Sequence, residues 1–358
     1  MPSYSLRLFS PIVGTNTFVS DITQTAVGWH RSIRPVGGCW YGQFDLVAPL
    51  AVLQQWFYEY LAYHLEERSG GVTWEGLVYE MDLTTRGVTR RRSLDTLVNY
   101  VTAYYTDPAD GVVKVTTTAS DAASITRYGR KEEIVFCDNV PLTAAEKRRD
   151  TLLKERAWPW AQPMRASMGG KEQASLRVSV CGYAWTANWR FVTSADAATG
   201  NVNAWISAIL AADCPLLMAG SIGTNALQVK RELKSPARAW DKIKELQALG
   251  DSSGNPWVVR VDPGRRLVYE QRVITPAYYM RQGQLYTSAG GAVGANPWQV
   301  RPGVVRDADY PVRRQDSGAW LADVRDMALD QVDVSDRGIT FTTGSFSESA
   351  LLALQGRQ

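Results

Sequence analysis

"WEGLVYEMDLTTRGVTRRRSLD", residues 74–95, sets the reading of the whole chain. Trp74, Leu77, Tyr79 and Met81 stand among polar neighbours in the near-alternation of a half-buried strand, with Gly76 as a point of irregularity. Arg86-Gly87 supplies a turn and "VTRRR" the returning strand, so a β-hairpin is expected here. Four arginines, Arg86, Arg90, Arg91 and Arg92, fall in the same stretch. Successive strand residues face opposite sides, so Arg90 and Arg92 share one face and Arg91 takes the other. They cannot form one cationic stripe, which argues against a DNA-reading motif. A solvated edge, a subunit contact or the lining of a channel accounts for them.

Around the hairpin the period changes. In residues 48–68, "APLAVLQQWFYEYLAYHLEER", Leu50, Leu53, Phe57, Leu61 and Leu65 recur at three or four and predict a helix of about four turns, closed by Ser69-Gly70-Gly71. After the hairpin, "SLDTLVNYVTAYY" reads as a second helix capped by Ser93, with Leu94, Leu97, Val98 and Val101 on one face. "KVTTTAS" is β-prone, and "ASITRYGRKEEIVF" is a turn leading into a strand. "LTAAEKRRDTLLKERAWPW" is a charged helix with a Thr143-to-Glu146 capping box and a thin apolar stripe, as suits a helix bridging domains.

These elements divide the chain into a β-rich domain over 1–140, a linking helix and Pro/Trp-rich linker over 141–168, and a second β-rich domain over 169–358, an α+β chain overall. The second part opens with β-like "SLRVSVCGYAWTANWRFV" and a short helix at "NAWISAILAA". "SPARAWDKIKELQALG" is a helix capped by Ser235, with Pro236 in its first turn and Gly250 ending it. "NPWVVRVDPGRRLVYEQRV" is a hairpin turning at Asp262-Pro263-Gly264. A Gly-rich loop at 288–296, a helix from Trp320 to Leu329 and a hairpin at "SDRG" follow. An echo links the halves: a helix with Trp56 precedes a strand at Trp74, and a helix with Trp240 precedes a strand at Trp257, spacings of 18 and 17 by subtraction. It suggests an internal duplication.

Composition excludes several functions. With 39 basic and 36 acidic residues the formal charge is +3, too balanced for general attachment to nucleic acid or acidic lipid. No apolar run is long enough to span a membrane and the N-terminus has no secretory order, so synthesis in the cytoplasm is expected. The cysteines, Cys39, Cys137, Cys181 and Cys214, form no CxxC pair, and the histidines are only His30 and His64. No metal site and no cofactor are expected, and the thiols read as buried and reduced. A Ser-His-Asp triad would need one of those histidines, with His64 placed at a helix end, and no GxSxG or phosphate-loop motif accompanies either. Acid pairs such as Glu75 with Glu80, or Asp307 with Asp309, are what 36 acidic residues place together by chance. No catalytic residue is assigned. The 13 Trp and 16 Tyr favour a protein that meets other surfaces, through subunit contacts or sugars.

The order of features resembles tailed-bacteriophage tail-tip proteins of the baseplate-hub type. The matching residues are Trp74, Gly76 and Val78 after a helix, then Ser124, Tyr128, Gly129 and Glu132 before the helix that leaves the first domain. The 239–273 helix and hairpin and the later "VRPGVVRDAD" turn are similar to that family as well. The resemblance implies two tube-like, barrel-type domains per chain, and a ring of copies, a trimer by preference, joining a six-fold tail tube to a three-fold tip. It further implies other tail proteins as partners, a location in the virion tail, and transient passage of DNA without sequence-specific binding. Trp56, Phe57, Trp74, Gly76, Tyr128, Gly129, Trp240 and Trp257 are then core or structural positions. No lysozyme or peptidase segment is visible. A carbohydrate-binding adhesion module and a hexameric distal-tail ring are the alternatives.

Overall fold

The computed structural model describes residues 4–11, 16–166 and 174–272 apart from 197 and 234, and beyond them the backbone of five strands between 278 and 344. The fold is α+β and rich in strands. Its first part holds β1 (Ser5–Pro11), β2 (Phe18–Asp21), β3 (Ala26–Arg34), β4 (Gly37–Leu46), helix α1 (Leu50–Glu59), β5 (Tyr63–Arg68), β6 (Val72–Thr85) and β7 (Val88–Ser93). The hairpin expected from residues 74–95 is β6 with β7, closing at Thr85 opposite Val88. Arg86 (φ 50°) and Gly87 (φ 77°) are both left-handed, the twist that a two-residue hairpin turn requires.

Gly76 does not interrupt β6. It pairs with Leu65, while the register slip against the neighbouring strand falls beside Tyr79. Its smallness is needed for a different reason: a Cβ there would stand 2.5 Å from the carbonyl oxygen of Cys181.

The first helix is shorter than its apolar period suggests. It stops at Glu59, Ala62 turns left-handed at φ 68°, and residues 63–68 become a strand between β1 and β6. Ser69-Gly70-Gly71 is therefore a hairpin turn, with the Ser69 N–H donating to the Gly71 carbonyl at 2.8 Å. The helix expected from Ser93 is also absent. Leu94, Leu97 and Val98 are buried in an irregular link, and β8 (Tyr100–Thr106) then alternates Val101, Ala103 and Tyr105 inward. The Ser93 hydroxyl accepts the Asp95 N–H at 3.0 Å, a local turn in place of a helix cap.

A small sheet follows. β9 (Val113–Val115) and β10 (Ala119–Ser120) pair antiparallel with β8, and β11 (Glu132–Cys137) pairs parallel with it after a crossover through α2 (Ala122–Tyr128). Helix α3 (Leu142–Arg156) covers one face of this sheet and closes a small core of Ala103, Tyr105, Cys137 and Ala145. The Thr143–Glu146 capping box is not formed: the helix starts behind Pro141 with no side-chain cap, and Thr143 already lies inside its first turn.

Strands before, within and after the 141–168 linker belong to one sheet. β12 (Gln162–Ala166) pairs with β7, and β13 (Ser175–Cys181) pairs with both β4 and β6. A single apolar core runs from Tyr4 to Tyr269. The expected boundary thus cuts through a sheet, and the division between cores falls around the small sheet instead, because non-local pairing outweighs the Pro/Trp composition of the linker.

A 3-10 turn (Tyr183–Trp189), β14 (Thr199–Asn201), α4 (Val202–Asp213), β15 (Met218–Ile222), β16 (Gln228–Lys230), α5 (Ala239–Ala248), β17 (Trp257–Asp262) and β18 (Arg266–Gln271) follow. Helix α5 begins three residues beyond Pro236 with no side-chain cap, and left-handed Gly250 lies just past its end. The β17–β18 hairpin turns through Gly264 and Arg265, both left-handed. The two Trp-spaced segments differ in the order of their elements. Two strands follow α1, with Trp74 on the second, whereas α5 leads directly to β17, which begins at Trp257. The last strands are β19 (Tyr278–Arg281), β20 (Gln284–Thr287), β21 (Val304–Val312), β22 (Asp323–Ser335) and β23 (Gly338–Gly344). The segment expected as a helix up to Leu329 is strand from Asp323 onward, because β22 pairs with β21, β23 and β3. It turns into β23 at Ser335 and Gly338, as the "SDRG" pattern anticipates. The Gly-rich loop at 288–296 lies outside the described residues.

Candidate functional site

Making residues 63–68 a strand has a chemical result. His64 and Glu66, two apart on β5, face the same side, and Glu75 stands directly opposite Glu66 on β6. All three are buried, and their ligating atoms lie within 4.8 Å of one another. His64 Nδ1 lies 2.5 Å from the hydroxyl of Tyr183, which is fully buried, and Nε2 lies 3.1 Å from Glu66 Oε1. The other Glu66 oxygen accepts from Arg68 Nε at 2.7 Å. Glu75 accepts the backbone N–H of Arg265, whose guanidinium lies 5.6 Å from the Tyr183 ring centroid. The left-handed turn at Gly264-Arg265 thus aims a backbone donor at this carboxylate.

The two carboxylates respond oppositely to their surroundings. Burial pushes Glu75 above the usual range, against the pull of His64 and the turn N–H groups. Burial acts the same way on Glu66, but bonds from His64 and Arg68 outweigh it and hold Glu66 low. Burial also raises the Tyr183 hydroxyl. A second polar group fills the adjacent strand faces: Glu67 accepts from Trp29 Nε1 at 2.6 Å, from Arg31 Nε at 2.9 Å and from the Thr73 hydroxyl, all in the core.

The residues Ser124, Tyr128, Gly129 and Glu132 form a joint between the small sheet and the body. The Ser124 hydroxyl donates to the Ala157 carbonyl at 2.5 Å, and Asn99 Nδ2 donates to Ser124 and to the Gly129 carbonyl. Gly129 is left-handed at φ 87°, Tyr128 packs edge-on against Trp158, and Glu132 accepts the Phe191 N–H at 3.0 Å.

No protein-family model matches the chain, and no curated protein matches it. Among solved structures it is similar to the prophage tail protein gp18 from Listeria monocytogenes EGD-e, at 10% identity and a TM-score of 0.42, covering 99% of this chain and 98% of that one. It is also similar to the 43 kDa tail protein of prophage MuSo2 from Shewanella oneidensis, at 9% identity and a TM-score of 0.35, covering 95% of this chain and 96% of that one. At these values the likeness carries no weight for function.

The four arginines separate. Arg92 is buried and donates to the carbonyls of Phe57 (2.8 Å), Tyr58 (2.6 Å) and Pro159 (3.3 Å), tying the last turn of α1 to the linker. It is no surface candidate, because the chain's own backbone takes its donors. Arg91 pairs with Asp82 at 2.7 Å and Glu80 at 3.3 Å on the opposite side of the strand. Arg86 and Arg90 are exposed. Trp56, Phe57, Trp74, Gly76, Tyr128, Gly129, Trp240 and Trp257 are all buried.

Sequence reasoning passed over the His64 group, since a helix over 48–66 would separate His64 from Glu66. The signal is the H-x-E alternation, which gains meaning only on a strand. The four cysteines are buried and form no disulfide with one another; burial pushes the Cys214 thiol up to about 12 and raises Cys181 too. Glu75 and Glu80 do not work as a pair, because Glu80 bonds Arg91 while Glu75 turns into the buried group. The side chains of Asp307 and Asp309 lie outside the described residues.

Proposed function

We propose that this chain is a structural subunit of a bacteriophage tail tip that associates head-to-tail with its own copies into a ring. The observation that carries the reading is the small sheet. β9 and β11 each pair only with β8 among the described strands, which leaves two different edges open on opposite sides. α3 covers one face. The other shows a row in register across the sheet, Val115, Tyr104 and Phe136, and Val113, Val115 and Phe136 are more than half exposed. Open edges beside an uncovered apolar face are features that a chain acting alone would be expected to blunt. Unlike edges meeting edge to edge make a heterologous contact, which closes into a ring when the rotation allows.

The hub-type resemblance of Trp74-Gly76-Val78 and Ser124-Tyr128-Gly129-Glu132 gives the ring its setting. It favours a trimer, neighbouring tail proteins as partners, and a passage for DNA, with exposed Arg86 and Arg90 as candidates for a subunit contact or the channel wall. No catalytic step and no cofactor belong to this reading. Mass measurement by light scattering together with negative-stain imaging tests it. A cyclic assembly that Val115→Lys and Phe136→Lys convert to a folded monomer is the expected result. A monomer at every concentration, indifferent to tail-tube proteins, would overturn it.

One observation favours a second reading. Trp158 and Trp160, both about half exposed, flank a cleft of about 680 Å³ shared with Lys154, Arg156 and Gln162, a composition suited to sugars. Glycan binding lost in Trp160→Ala, with no assembly, would select the adhesion module instead.

A further inference from the structure

The His64 group holds a feature that ordinary ladder pairing works against. Glu66 and Glu75 are directly opposed on adjacent strands and buried, an arrangement that is destabilising as two like charges unless one carboxyl is neutral or a cation lies between them. Arg68 reaches only the outer oxygen of Glu66, and Glu75 is met by backbone N–H from the β17–β18 turn rather than by a guanidinium. His64 remains as the group facing both. Its Nδ1 is engaged by Tyr183 at 2.5 Å, and its Nε2 points to Glu66 at 3.1 Å. If Nδ1–H donates to the Tyr183 hydroxyl oxygen, the Nε2 lone pair faces a carboxylate, and only a proton or a metal ion can bridge them.

We infer that His64 Nε2, Glu66 and Glu75 form a divalent transition-metal site, with Zn²⁺ as the best-matched ion and Tyr183 as the residue that orients the imidazole. One imidazole with two carboxylates is a donor set suited to Zn²⁺, and the imidazole disfavours Ca²⁺ and Mg²⁺. Tetrahedral zinc ligands stand roughly 3.3 Å apart for bonds of about 2.0–2.1 Å. The His64–Glu66 separation already matches that edge, and the remaining atoms, within 4.8 Å, need only side-chain adjustment. A metal-bound histidine commonly donates its other ring N–H to an oxygen, the place Tyr183 occupies here. With three protein ligands on adjacent strands and the β17–β18 turn bonded to one of them, the ion would clamp the β5–β6 hairpin to the second half of the chain.

The test uses the full chain without a histidine tag, dialysed against chelator and then titrated calorimetrically with Zn²⁺, with Co²⁺ absorption as a second probe. Saturable 1:1 binding, a rise in melting temperature and tetrahedral Co²⁺ bands are expected. Binding should be lost in Glu75→Gln and His64→Gln, weaken about 10- to 100-fold in Tyr183→Phe, and persist in His30→Gln. Absence of 1:1 binding to the wild-type chain at millimolar Zn²⁺ would overturn the assignment whatever the folding of the variants. Equal binding in folded Glu75→Gln, or its loss in His30→Gln, would do so as well.

Discussion

Replacing Glu67 with leucine tests most directly how this core is held. The Glu67 carboxylate is fully buried and accepts from Trp29 Nε1, Arg31 Nε and the Thr73 hydroxyl, and Arg31 is itself fully buried. Removing one member of a buried ion pair costs about 3–5 kcal/mol, since the surviving charge stays desolvated without its counterion. Taking about 4 kcal/mol, and about 2.1 cal/mol/K of unfolding entropy per residue over 358 residues, the melting temperature should fall by about 5 °C. The double variant Arg31→Met/Glu67→Leu removes both charges and should recover to within about 2 kcal/mol of wild type. The remaining deficit comes from the Trp29 N–H and Thr73 hydroxyl, which still lack the carboxylate. Urea unfolding followed by tryptophan fluorescence, on wild type, both singles and the double, gives the coupling energy. If Glu67→Leu costs less than about 1 kcal/mol, or the double is no better than Glu67→Leu alone, then the pair does not organise the core as argued.

Three further outcomes are expected. Gly182→Ala would place a Cβ 1.7 Å from the Cys39 carbonyl oxygen and should cost about 3 kcal/mol or more, or prevent soluble expression; Gly71→Ala, with nothing within 4 Å, is the near-neutral control in the same thermal assay. Arg92→Met should cost about 2 kcal/mol by taking donors from the buried Phe57 and Pro159 carbonyls and the partly buried one of Tyr58, while exposed Arg90→Ala stays within about 0.5 kcal/mol, as urea midpoints will show. Asp251 is held down to about 2, chiefly by the Asn255 side chain and further by the Ser253 and Asn255 N–H groups and the Trp257 indole. Its folded value lies below its unfolded one, so its contribution is complete above about pH 4 and fades as the pH falls toward 2. Melting curves across that window should therefore fall less steeply for Asp251→Asn than for wild type.

Where the local pattern admitted one partner arrangement, it was legible. The β6–β7 hairpin follows from alternation in 74–83 and the left-handed Arg86-Gly87 turn, and the β17–β18 hairpin follows from Asp262-Pro263-Gly264. Helices α3 and α5 follow from their charge and apolar periods, although neither start uses the side-chain cap that the sequence offers. Where one set of apolar residues satisfied two periods, the local pattern misled. Leu61 and Leu65 continue the spacing of α1, yet Ala62 turns left-handed and residue 63 onward pairs with β1. Leu94, Leu97, Val98 and Val101 match a helical face, yet they bury as a link and a strand.

The sequence by itself therefore determined the α+β class, the central hairpins, the aromatic core positions and the division of three adjacent arginines between two faces. Tertiary structure alone decided which of those arginines is buried, where the two cores divide, and that His64, Glu66 and Glu75 meet. The physical reason is the range of the interactions. A turn or a helix period is written within a few residues, whereas β5 becomes a strand because β1 and β6 both offer it hydrogen bonds. The Glu75 carboxylate gains its partner, the Arg265 N–H, from 190 residues away.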